Sequence, residues 1–174
     1  MKKYLILSCS LNPGSRSRVL ARLAFDYLQQ KDADVEFVDL RDLNLPTCDG
    51  DAVYSDPGAQ EIAAKVQAAD GILLGVPIYN FDVNAAAKNL IELTGRAWTE
   101  KVAGFLCAAG GQGSYMSVMA VANSLMLDFR TVVIPRFVYA TGAAFQGEDV
   151  SDPDLQGRVE ELAGELVRFA EALR

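Results

Sequence analysis

The chain has 174 residues, half of them apolar and 22% charged, with a net charge of −7. That length suits one domain, 1–174, with a real core, and the acidic balance disfavours nucleic acid and anionic membrane as partners. Cys9, Cys48 and Cys107 stand far apart with no C-x-x-C and histidine is absent, so a disulfide framework, a structural zinc site and Ser-His-Asp or Cys-His catalysis are not expected, and no metal site is assigned.

In chain order, residues 4–8 read as a short buried strand. That run is too brief for a signal peptide and ends in polar residues rather than a cleavage site. No run of about 18 apolar residues occurs, so no membrane span is expected and the cytoplasm is the expected location. Residues 16–30 read as a helix with Val19, Leu20, Leu23, Ala24, Tyr27 and Leu28 on one stripe. Residues 35–40 are a second strand. The polar segment 41–57 is longer than an ordinary connection and is expected to be functional, mobile or both. Residues 58–69 are helical, and 71–77 form a third strand ending at Pro77. An alanine-rich helix covers 83–94, a fourth strand 102–108, and a further helix 115–129. The last strand region opens at 131–135, with Pro135 at its end, and 153–173 form the last helix. Strands apolar throughout that alternate with helices imply an α/β fold, a doubly wound five-stranded parallel sheet with helices on both faces. In such sheets ligands sit beyond the carboxyl ends of the strands, so the chemistry is expected just after Ser8, Val76 and Ala108.

After the first strand come Ser10-Leu11-Asn12-Pro13-Gly14-Ser15-Arg16-Ser17. A helix N-terminus offers unpaired amides and a partial positive charge, a natural seat for phosphate. Capping alone needs one hydroxyl. The segment has three and an arginine, which favours phosphate. Arg16, Arg18 and Arg22 cluster here, and Arg22 is expected on a solvated helix face. No G-x-x-x-x-G-K-[ST] and no G-x-G-x-x-G follows, which argues against a P-loop and a dinucleotide-binding Rossmann domain. After the third strand, Pro77-Ile78-Tyr79-Asn80-Phe81 put apolar and aromatic groups at the mouth of the sheet. Two readings stay open: a surface for a flat aromatic ligand, or a turn whose Tyr79 and Phe81 fold onto the neighbouring helix. After the fourth strand, Ala109-Gly110-Gly111 would let backbone amides approach a ligand closely. By itself that loop reads as merely flexible; three such loops converging on one edge are far more specific.

With these segments in place, the chain resembles the NAD(P)H-dependent FMN reductase family, which includes azoreductases and quinone reductases. The resemblance rests on S-x-N-P-x-S-x-S (Ser10 to Ser17), on PIYNF (77–81) followed by Lys88-Asn89, and on the Gly110-Gly111 loop. It implies a flavodoxin-like sheet of order 2-1-3-4-5 and bound FMN. Ser10, Asn12, Ser15, Arg16 and Ser17 would lie at the flavin phosphate; Pro77, Ile78, Tyr79, Asn80 and Phe81 along the ring; Ala109, Gly110 and Gly111 beside its pyrimidine edge. The sequence departs from the family at Cys9, often glycine, and at Asn12, often arginine, with Arg16 as the substitute. The implied activity is a ping-pong hydride mechanism: NADH or NADPH reduces the flavin at N5, and two electrons pass to a quinone, flavin, azo compound or metal oxyanion. No protein side chain need be catalytic. The weakly polar helix around 116–129, beside 83–94, is expected to form a homodimer, or a tetramer. The rival is a flavodoxin-type electron carrier, whose threonine-rich phosphate loop is absent. No arginine is assigned to a 2′-phosphate, Arg96 and Arg136 being the two weighed for it; of two readings for Trp98, Tyr115 and Phe145, lining an acceptor site or packing, packing is preferred.

Overall fold

The computed structural model describes residues 2–173. The first strand, β1 (Lys3–Ser8), alternates its side chains between two cores: Tyr4 and Ile6 face one, Leu5 and Leu7 the other. It lies between β2 (Asp34–Asp39) and β3 (Gly71–Tyr79), parallel to both, and β3 pairs in parallel with β5 (Val102–Ala109). All eight residues of β5 are buried. Such strands need helices on both faces to stay dry. One face carries α1 (Arg16–Gln30) and α5 (Pro153–Ala172), which bury Leu20, Ala24, Leu28, Val159, Leu162 and Leu166. The other carries α2 (Pro57–Ala68), α3 (Ala85–Thr94) and α4 (Met119–Phe129), through Ile62, Val66, Leu90, Val121 and Leu125.

The strand order β2-β1-β3-β5-β6, with β6 (Val132–Val133) at the edge, is the expected doubly wound order. It reverses between β1 and β3, so a crevice opens above those two strands. At Gly75 a Cβ would lie 2.8 Å from the Ser17 carbonyl and 2.9 Å from the Ala21 Cβ. Only glycine lets α1 lie this close to β3, and the contact sets the helix N-terminus at the carboxyl edge of the sheet.

Several boundaries differ from the sequence reading. The third strand does not end at Pro77 but continues to Tyr79 and turns back into β4 (Asp82–Val83), pairing Ile78 with Val83. Pro77 has no amide hydrogen to give to the sheet; its carbonyl accepts from the Asn84 amide at 3.2 Å. The fifth strand is split. Pro135 interrupts it after β6, and it resumes as β7 (Val138–Thr141), which again pairs with β5. A short antiparallel hairpin, β8 (Phe145–Gln146) and β9 (Asp149–Val150), was not anticipated. The helix expected from 115 begins at Met119, after a turn of 3₁₀ helix at Gln112–Ser114. The segment 41–57 is tied down: Cys48 N donates to Asn89 Oδ1 (2.8 Å) and Asn89 Nδ2 to the Pro46 carbonyl (2.9 Å). Among the described residues no helix is long and apolar enough to cross a membrane.

Candidate functional site

Three loops meet at the carboxyl edge of the sheet around a cleft of about 690 Å³. Ser10, Asn12, Ser15, Arg16, Ser17, Pro77, Ile78, Tyr79, Asn80, Ala109 and Gly110 line it; of the positions expected at the site, only Phe81 and Gly111 fall outside the lining, each beside a residue that contributes to it.

The first loop is a tightly bonded polar turn. Ser15 caps α1, its hydroxyl accepting from the Arg18 amide at 3.3 Å, and its Oγ lies 2.9 Å from Ser17 Oγ. Ser10 Oγ accepts from the Asn12 amide, and Asn12 Oδ1 from the Gly14 amide at 3.0 Å. The Asn12 carbonyl oxygen of the side chain is thus engaged in shaping the turn. Capping is met by one hydroxyl, and the amides of Arg16 and Ser17, in the first helical turn, have no partner within the helix. Among the residues lining the cleft Arg16 alone carries a formal charge. Its guanidinium rests against the backbone after β7, where a Cβ on Gly142 would stand 2.6 Å from Nη1.

Arg18 organises this loop, a role the sequence reading missed. Its Nη1 donates to the carbonyls of Asn12 (2.9 Å) and Pro13 (3.0 Å), and its Nη2 to that of Ser10 (3.1 Å). Nε and Nη2 together hold the Asp39 carboxylate, and the pair is nearly out of water, at 16% and 6% exposure. With its carbonyls drawn back onto one guanidinium, the loop holds a single shape. Arg22 is on the exposed helix face, as expected, and its guanidinium also lies 3.8 Å from the centre of the Phe37 ring.

The second loop is the β3–β4 hairpin. Its two turn residues, Asn80 and Phe81, have φ of 51° and 65°. Two successive left-handed residues make the turn that best joins twisted strands. Asparagine tolerates that conformation; phenylalanine does so at a cost of about 1 kcal/mol or more. Tyr79 and Phe81 do not fold onto the neighbouring helix, being 51% and 70% exposed. Strain and exposed aromatic surface coincide at the mouth of the cleft. The base of the hairpin is tied to the first loop by Asn84, whose Nδ2 donates to the Cys9 carbonyl at 2.7 Å. Burial, with the Asp39 carboxylate adding to it, pushes the Cys9 thiol up to about 12, so this sulfur under the first loop is inert.

The third loop follows β5. The spaces that a Cβ would fill at Gly110 and Gly111 are open. Tyr139, on β7, donates its hydroxyl to the Gly111 carbonyl at 2.5 Å and meets Ser114 Oγ at 2.8 Å. Tyr115 packs edge-on against Tyr139 and beside Phe137. Neither Arg96 nor Arg136 reaches the cleft: Arg96 lines the groove between α3 and α4, and Arg136 pairs with Glu161 of α5.

Residues 2–146 match the family described as NADPH-dependent FMN reductase. The chain belongs to that family. Among its relatives, an NAD(P)H-dependent FAD/FMN reductase of Geobacillus thermodenitrificans is 30% identical, over 82% of this chain and 79% of the relative. An FMN-dependent NADH:quinone oxidoreductase of Pseudoalteromonas atlantica is 30% identical, over 86% of this chain and 73% of that protein. In fold, the chain superposes on the flavoenzyme NAD(P)H:(acceptor) oxidoreductase FerB of Paracoccus denitrificans with a TM-score of 0.81, at 19% identity and over 99% of both chains. Family membership agrees with the resemblance carried by the Ser10–Ser17 and PIYNF segments.

Proposed function

We propose that this chain is an FMN-dependent NAD(P)H oxidoreductase that passes two electrons to a small acceptor of the quinone or flavin kind. The observation that carries the reading is the convergence of a polar helix N-terminus, an exposed aromatic hairpin and a glycine loop on one cleft. The donor set suits FMN at both ends. Amides, three serines and Arg16 answer a phosphate, while Ile78, Tyr79 and Phe81 offer flat apolar cover to a ring. Bound FMN supplies the redox chemistry, accepting hydride from NAD(P)H and releasing two electrons to the acceptor.

The chain's own residues bind and orient. Ser10, Asn12, Ser15, Arg16 and Ser17 hold the phosphate. Pro77, Ile78, Tyr79, Asn80 and Phe81 flank the ring and exclude water from it. The amides around Ala109, Gly110 and Gly111 present fixed dipoles to its polar edge, where preorganised donors favour negative charge. No side chain is assigned a catalytic proton transfer. The shallow, open cleft suits acceptors of several shapes.

The working unit is a homodimer. Tyr115, Met116, Met119, Met126 and Leu127 leave an apolar strip exposed along α4 and the turn before it, the surface offered to a second copy. The α3 contribution is smaller, because its outer face carries the Lys88–Glu92 pair. NAD(P)H as co-substrate fits a cytoplasmic site of action, and the chain is taken as one flavin-binding domain.

Purified protein loaded with FMN should bleach anaerobically on addition of NADH or NADPH, and should consume either steadily with a quinone. Bleaching only through an added reductase would instead mark an electron carrier. Light scattering at micromolar concentration should give twice the 18.8 kDa chain mass; a monomer there removes the dimer from the proposal.

A further inference from the structure

Arg16 is the first residue of α1 and is exposed, but its guanidinium is not adrift. It lies against the backbone at Gly142, just after β7, where a Cβ would stand 2.6 Å from Nη1, 3.1 Å from Cζ and 3.3 Å from Nη2. Next to it is Phe145 of β8, whose ring centre is 5.8 Å from Cζ. We propose that Gly142 and Phe145 form a shelf that holds Arg16 at the tail end of the main cleft, and so are positioning residues for recognition of the flavin phosphate. The inference rests on the flavin reading of that cleft and adds two residues that lie outside its lining.

The backbone at Gly142 does not itself require glycine. The residue opens a turn of 3₁₀ helix, Gly142–Ala144, and is not among the glycines of positive φ, so any side chain could adopt its conformation. What a side chain would meet is Arg16: the three atoms nearest to a Cβ built there all belong to that guanidinium. The room that glycine leaves empty is the room the arginine fills. Phe145 supplies the second wall. The face of an aromatic ring attracts a guanidinium and stacks on its plane. The ring is itself anchored, half-buried against the core beneath α1 and α5. A free arginine at a helix start would lose rotamer entropy on meeting a phosphate, and one already laid on a shelf loses less. Competing anions are close by. Glu148 and Asp149, at the tip of the β8–β9 hairpin, line the hollow behind α1 together with Arg16. A salt bridge to either would draw the charge away from the main cleft. Among the described residues the arginines found in ion pairs do not include Arg16. The shelf keeps the one charge in the cleft lining available to a ligand.

The test compares FMN with riboflavin, which keeps the ring and lacks the phosphate, by quenching of flavin fluorescence on titration with the full chain. The proposal expects FMN to bind at least about a hundredfold tighter than riboflavin. Gly142→Ala should cut that preference about tenfold by displacing the guanidinium. Riboflavin affinity and the urea midpoint should stay unchanged, because the displaced atoms are the tip of a flexible side chain. Phe145→Leu, which keeps an apolar group against the core, should cut the preference about threefold. Added to Arg16→Ala, neither change should lower it further, since the arginine through which both act is then gone. An undiminished preference in Gly142→Ala overturns the proposal. So does a further fall when Gly142→Ala is combined with Arg16→Ala. Equal weakening of both flavins also overturns it, because Gly142 then serves the scaffold and not the phosphate. If the unmodified protein binds both flavins equally, the phosphate end of the cleft is misassigned and the proposal falls while the ring end stands. If it binds neither, the flavin reading falls as well.

Discussion

The two ends of the main cleft are built on opposite physics. At the tail end Ser10, Ser15 and Ser17 are buried, and one guanidinium gathers the loop carbonyls while a carboxylate holds it from behind. At the ring end Tyr79 and Phe81 stand in solvent, two turn residues are left-handed, and Gly110 and Gly111 face open space. A phosphate is best held by dipoles fixed before it arrives, because reorienting them on binding would consume the gain. A flat ring needs mainly area, which a protein can leave exposed until the ligand covers it. Rigidity is therefore concentrated where direction matters, and strain where contact does.

That contrast can be broken from the tail end first. Arg18→Ala should strand a buried carboxylate and lower stability by about 3 kcal/mol, read from the urea midpoint, with FMN binding weakened about tenfold. Arg18→Lys should recover little of either, since an ammonium cannot span Asp39 and the loop carbonyls at once. An unchanged midpoint would mean that the loop keeps its shape unaided. Next in size is Asn84→Ala, which cuts the tie between the two ends by leaving the Cys9 carbonyl unpaired. A loss of about 2 kcal/mol is expected, together with weaker FMN binding.

At the ring end the sign should reverse. Phe81→Gly relieves a left-handed phenylalanine, so stability should rise by about 1 kcal/mol while KM for a quinone increases. A variant that is both less stable and equally active would show that Phe81 packs rather than covers ligand. Smallest is the effect of a thiol reagent. At pH 8 iodoacetamide should label the half-exposed Cys48 and spare Cys9 and Cys107 in the folded protein, with activity unchanged. Burial raises both thiols, Cys9 to about 12, so moving from pH 8 to 9 should not expose Cys9 to labelling. The same shift makes the folded state hold its Cys9 proton after the unfolded chain has lost it. That stabilisation is complete below about pH 9 and should be lost as the pH climbs toward 12.

Much of this was legible in the residues. Unbroken apolar strands alternating with amphipathic helices fixed a doubly wound sheet, and the three polar, aromatic and glycine segments marked its carboxyl edge. Pattern served there because each signal is local: a helix stripe or a phosphate turn is written within a few positions. The missed residues act across the fold. Arg18 shares its helix turn with Arg16, and nothing in their spacing says which one faces Asp39 and which one faces the cleft. Tyr139 followed Pro135 in what read as the end of a strand, and only the renewed pairing with β5 brings its hydroxyl to Gly111. Asn84 falls within the helix expected over 83–94 and carries no local signal of its own. Its partner, the Cys9 carbonyl, is far away in sequence.

The sequence by itself determined the layered fold, the sheet edge where the three loops converge and the chemical type of each loop, because hydrophobic period and turn chemistry are properties of neighbours along the chain. Tertiary structure alone decided which arginine is structural and which is left at the cleft, and which aromatic rings remain wet. Those outcomes depend on distances between segments that only packing of the sheet and its helices brings together.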